Sequence, residues 1–209
     1  MCMKRILILL CITVFLSSLF NACQQKSSDN NPNTIDTLWN DKVQDCFFGI
    51  KLGENANRYV EKFQTMNLQG ELHPIINDCF SIIFSRPSLS TIGFGTVQWD
   101  KIRITSGKGA VYEIAFIKTY QHGQESACNY MYYDLLKKLS SKYKITDVSS
   151  TYSNDSTVSE LKEIYGKNEV KAQLYKRKYF LEGHGEMINI CLDYVSYPIM
   201  ESQSTKNDL

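Results

Sequence analysis

Two stretches of the chain space their apolar residues three and four apart. Ala56, Tyr59, Val60, Phe63 and Met66 predict an amphipathic helix over 54–67, closed by Gly70. Cys128, Met131, Leu135 and Leu139 predict a second over 125–143. Its last turns carry Lys137, Lys138 and Lys142, where cations favour the helix dipole. After each helix the pattern changes to short apolar runs and alternation. Residues 78–84 are rich in Ile and Phe, and 97–105 and 111–120 flank a Gly107-Lys108-Gly109 turn. On the second of these strands Tyr112, Ile114 and Phe116 alternate with Glu113 and Ala115. Residues 160–165, 169–181 and 186–197 read the same way, with turns at Gly166-Lys167-Asn168 and Gly183-His184-Gly185. Ile188, Ile190, Leu192 and Tyr194 share one face of the last strand. The expected architecture is α+β: two helix-then-three-strand antiparallel meander halves, their helices packed on one sheet layer.

The N-terminal segment follows a different pattern. Lys4 and Arg5 precede an apolar core from Ile6 to Leu16, and small Ser17, Ser18 and Ala22 follow, as in a secretory signal. The run is short for a bilayer span of roughly 20 residues. Leu19-Phe20-Asn21-Ala22-Cys23 resembles the cleavage box of bacterial lipoproteins, in the looser form found in Bacteroidota. The resemblance implies cleavage after Ala22 and acylation of Cys23; an ordinary secreted protein with a stray cysteine is the alternative. Residues 24–37, QQKSSDNNPNTIDT, cannot bury enough surface to fold and read as a flexible tether. The expected organisation is therefore a signal at 1–22, lipidated Cys23 and tether over 23–40, an α+β domain over 41–199, and a disordered tail over 200–209. Gln24 is not the aspartate that retains lipoproteins in the inner membrane of enteric bacteria, so the outer membrane is the default location.

Charge and cysteine usage narrow the field. The whole chain has 23 basic and 22 acidic side chains. This near-neutral balance, in an exported protein, argues against nucleic acid as a partner. Cys46, Cys79, Cys128 and Cys191 remain beyond the lipidation site, with no metal-type spacing. They are either a disulfide set in an oxidising compartment or small buried hydrophobes. His73, His122 and His184 all fall in expected turns. His122-Gly-Gln-Glu125 and Glu182-Gly-His184-Gly-Glu186 offer metal-binding atoms without the helical i, i+4 spacing of a hydrolytic zinc site. No nucleophile elbow and no phosphate-cradling glycine loop appears. No catalytic residue, metal or cofactor is expected.

One surface stretch rises above this background. Tyr175, Lys176, Arg177, Lys178 and Tyr179 mix aromatic and cationic groups on one strand, able to pair with an anion while rings stack on a planar or sugar face. A solvated edge strand blunted by charge explains the same residues. The Gly-x-x-Leu-Gly entry at Gly49 to Gly53, the helix after it and the Tyr112-x-Ile114-x-Phe116 strand resemble uncharacterised Bacteroidota lipoproteins. More remotely they resemble helix-and-meander modules of the beta-lactamase-inhibitor-protein and BamE/SmpA types. That resemblance implies a binding or scaffolding role for an envelope protein or glycan, held at the membrane by lipid, and transfers no catalytic residue. An envelope hydrolase with a site invisible to motif reading is the alternative.

Overall fold

The computed structural model describes residues 42–75, 79–87, 90–148, 151–153, 156–166 and 168–204. The expected signal, Cys23 and the expected tether lie outside them. The chain enters through a small hairpin, β1 (Cys46–Phe47) and β2 (Ile50–Lys51), whose turn places Phe48 and Gly49 at positive φ. Helix α1 (Ala56–Thr65) follows, capped by the Asn55 side chain, which accepts from the Asn57 N–H at 2.9 Å. It buries Ala56, Tyr59 and Phe63. The helix closes on Asn67, not on the expected Gly70. Asn67 has φ 58°, and the N–H groups of Asn67 and Leu68 return to the carbonyls of Gln64 and Phe63 at 2.9 Å each. That double bond pattern satisfies the last carbonyls of the helix. Gly70 lies instead in strand β3 (Gln69–Pro74), where a Cβ would meet Phe84 Cε1 at 2.8 Å and Ile82 Cγ2 at 2.9 Å.

A large antiparallel sheet carries the domain. Strands β4 (Cys79–Ser85), β7 (Lys101–Gly107) and β8 (Ala110–Gln121) form one side of it. The other side consists of β11 (Ser156–Tyr165), β12 (Val170–Leu181) and β13 (Gly185–Ser196). Short strands β9 (Thr146–Asp147) and β10 (Thr151–Ser153) both pair with β11. The strand order is β10-β11-β12-β13-β8-β7-β4-β3, so the last strands of the two sides meet in the middle. The β7–β8 turn is the one expected, with Lys108 and Gly109 both at positive φ as a two-residue hairpin requires. β3 and β10 were not anticipated: QGELHP has no apolar alternation, and Thr151–Ser153 is wholly polar.

The strand expected over 97–105 is two strands. The Asp100 carboxylate turns the chain by accepting from Lys118 Nζ at 2.6 Å and the Thr119 N–H at 2.8 Å. Strand β6 (Val97–Trp99) therefore leaves the sheet and pairs with β5 (Ile92–Phe94) as a separate hairpin. That hairpin docks on the same face as the helices: Phe94 stacks on Phe116 at 3.9 Å, and Trp99 is buried against it.

Helix α2 (Glu125–Ser140) buries Cys128, Tyr132 and Leu135 on the sheet. Ile104, Ile114, Phe116, Leu174, Leu192 and Tyr194 complete this core from below. A third helix, α3 (Tyr197–Ser204), occupies the first residues of the expected tail. Its Ile199 packs against the core beside Gly53, and Lys108 Nζ donates to the Gln203 carbonyl at 3.1 Å. Among the described residues, no helix is long and apolar enough to cross a membrane.

Candidate functional site

The detached hairpin leaves a cleft of about 570 Å³ between itself and the end of α2. Phe94, Val97 and Trp99 form one wall, Leu135 and Leu139 the other, and Leu192 and Tyr194 of β13 the floor. Polar groups gather at the mouth: Gln44, Thr96, Ser141, Tyr143 and the ammonium groups of Lys138 and Lys142. Lys138 spans the opening, donating to Asp134 at 2.6 Å on its own helix and to Thr96 Oγ1 at 3.0 Å on the hairpin. Lys142, one turn further on, is exposed and pairs with no carboxylate among the described residues. Burial raises the Tyr143 and Tyr194 hydroxyls above the ordinary phenol range, which keeps both neutral. The volume falls inside the range of about 300–1,000 Å³ typical of small-molecule sites.

The opposite face of the sheet carries a belt of polar side chains. Glu163, Gln173, Asp193, Ala115 and Arg103 are successive register partners from β11 to β7. The neighbouring row runs Tyr165, Lys171, Val195, Glu113, Thr105 and Ser81. At one end the Glu163 carboxylate receives Gln173 and Tyr165, each at 2.6 Å, and forms an ion pair with Lys171. Burial opposes that charge, but the three donors win and hold the carboxyl below its usual range. Lys171 also lies over the rings of Tyr165 and Tyr197 at 5.3 and 5.4 Å.

In the middle of the belt, Arg103 donates to Glu113 at 2.5 Å and to Asp193 Oδ2 at 3.4 Å. Thr105 donates to Glu113 at 2.5 Å, and Tyr175 donates to Asp193 Oδ2 at 2.8 Å. Asp193 is 4 % exposed and its Oδ1 has no hydrogen-bond partner. Burial, and then the nearby Glu113 charge, push its carboxyl up to about 7. Burial also pushes the Cys191 thiol up to about 12, so no thiolate nucleophile forms there. Apart from Asp193 Oδ1 and Arg103 Nε, the belt groups named above bind one another, which fits a network that fixes strand register.

The basic-aromatic stretch 175–179 does not form one surface. Strand β12 lies between β11 and β13, so it is not the edge strand that its charge pattern suggested. Alternation sends its residues to both faces. Lys176 and Lys178 point to the helix face, and Tyr175, Arg177 and Tyr179 to the polar belt. Lys176 is 6 % exposed and donates to Glu160 at 2.8 Å and Asn129 at 2.6 Å, under the rings of Tyr132 and Tyr133. Lys178 meets Glu186 at 3.1 Å, Arg177 meets Ser156 at 3.0 Å, and Tyr179 lies 3.5 Å from Asn189. Each of the five is engaged within the domain.

Of the two histidine motifs, one ligand atom from each of His122, Glu125 and Glu186 lies within 4.8 Å of the others. Glu186 is already bound to Lys178 and Glu125 to the Gly123 N–H. Cys46, Cys79, Cys128 and Cys191 are all free thiols, the last two buried. The cleft itself was not legible as a motif. Its one sequence signal is the Gly95 turn between two aromatic strands, which closes the hairpin that the break at Asp100 detaches from the sheet. No protein-family model, curated protein or solved structure matches this chain.

Proposed function

We propose that the protein is an envelope lipoprotein, held by acyl chains on Cys23 and by default at the outer membrane. Its domain binds an envelope protein, glycan or other envelope component without catalysis, and the cleft beside α2 is where it does so. The observation that carries this reading is the chemistry of the cleft: aromatic and aliphatic walls, a lysine-bearing mouth, and no carboxylate, histidine or cysteine among its described lining residues. The hydrolase alternative finds less support. A smaller hollow of about 230 Å³ at Tyr165, Lys171 and Tyr197 does contain Glu169 and Glu201. Both of these carboxylates are exposed, and Lys171 is committed to Glu163.

A photo-crosslinking residue at Ser141, on the cleft mouth, should capture an envelope component in living cells, whereas the same residue at Arg177 should not. Capture at Arg177 alone would move the site to the opposite face. We further propose that the chain is built from two related halves, each a helix followed by an antiparallel meander. The mirrored strand order about the β8–β13 junction supports this. Rotating one half onto the other about that junction should place α1 on α2, and a failure to overlay the helices rejects the repeat.

A further inference from the structure

Resting on the reading of the cleft as the binding site, we propose that its ligand is a single-chain amphiphile with an anionic end, of the long-chain fatty acid class. The cleft's depth is apolar: half-buried Phe94 and Leu139 face it, backed by the buried Trp99, Leu135 and Leu192. The Trp99 indole N–H is already spent on the Phe94 carbonyl at 3.2 Å. A sugar would leave most of its hydroxyls unpaired against such walls. A hydrocarbon chain has no polar group to strand there and gains with each methylene it buries.

Charge sits only at the mouth, and it is of one sign. Lys138 is half-neutralised by Asp134, while Lys142 has no carboxylate partner among the described residues. An anionic group emerging from the cleft therefore meets Lys142, with the Tyr143 hydroxyl among the lining groups as a donor; the Ser141 hydroxyl is already spent on the Lys138 carbonyl at 2.8 Å. A cationic or neutral head would leave that ammonium unused.

The test uses the full chain carrying Cys23→Ser, so that it has no acyl chain of its own. It is titrated with 11-(dansylamino)undecanoic acid and with the methyl ester of the same probe. Saturable one-to-one binding of the acid is expected, at least tenfold weaker for the ester. Lys142→Glu should weaken the acid at least tenfold and leave the ester unchanged, and this exposed position will not disturb folding. Leu139→Trp, which fills the cleft, should abolish both, with thermal melting checking that the variant folds. Equal binding of acid and ester, both lost in Leu139→Trp, overturns the anionic end and leaves the cleft as an apolar site. Absence of saturable binding, alongside crosslinking at Ser141, overturns the amphiphile and leaves the cleft reading intact. Binding indifferent to both substitutions overturns the proposal and the site together.

Discussion

Asp193 makes the domain's stability depend on pH in an unusual direction. Its carboxyl is buried on the sheet face opposite the helices. It meets Arg103 from β7, Glu113 from β8, Tyr175 and Arg177 from β12, and Cys191 on its own strand. One guanidinium, bound more closely to Glu113, cannot serve two buried carboxylates equally. Asp193 therefore keeps a proton up to about pH 7, whereas in the unfolded chain it releases it near 3.8. Between those values the native state binds more protons than the unfolded state, so stability falls as pH rises and levels off above about 7. A shift of roughly three units at about 1.4 kcal/mol each gives on the order of 4 kcal/mol. Asp193→Asn replaces the protonated acid with a neutral isostere whose side-chain oxygen can still accept from Tyr175. Urea unfolding of both proteins from pH 4 to pH 8 isolates the effect of the Asp193–Glu113 pair, because titrating groups that do not interact with it cancel in the difference. The variant should gain stability relative to wild type by about 4 kcal/mol across that window, and the gain should be complete by about pH 7.5. Parallel stability curves would show that Asp193 is ionised throughout and that Arg103 serves both carboxylates after all.

Labelled palmitate should enter the wild-type protein and be absent from Cys23→Ala; equal labelling of the two would sink the lipid anchor. Lys176→Gln should lower stability by about 1–3 kcal/mol, because it removes a buried ammonium from Asn129, Glu160 and two aromatic rings, while the Glu160 carboxylate, 38 % exposed, still reaches water. Arg177→Gln, next in sequence and exposed, should change stability by less than about 0.5 kcal/mol, and equal melting of the two variants would contradict the assignment of faces. Gly70→Ala should cost about 1–3 kcal/mol through overpacking on Phe84 and Ile82, read as a lower urea midpoint at unchanged slope.

The helices and long strands were legible because each writes its own period. Tyr59 and Phe63 mark the face of α1, while Ile188, Ile190, Leu192 and Tyr194 mark that of β13, and all six lie in the core. Strand β3 escaped because an edge strand owes its place to one neighbour's backbone and not to burial; five of its six residues are exposed. The break at Asp100 escaped for another reason. Val97-Gln98-Trp99 and the residues after it form one plausible strand until Lys118 and Thr119, distant in sequence, bind the aspartate and turn the chain.

The same physics separates the sequence candidate from the structural one. A run such as Tyr175 to Tyr179 looks like a patch because its residues are adjacent in sequence, but a strand sends adjacent residues to opposite faces. A patch on a sheet is built from i, i+2 positions and from register partners on neighbouring strands. Asp193 thus belongs with Tyr175, Gln173, Arg103 and Glu113, none of which lies within 15 residues of it. The cleft is further still from linear reading, since Gln44, Phe94, Lys142 and Leu192 line it together. A cleft of this kind exists only because Asp100 breaks the strand and the freed hairpin stands off from α2, leaving Phe94 and Leu139 only half-buried.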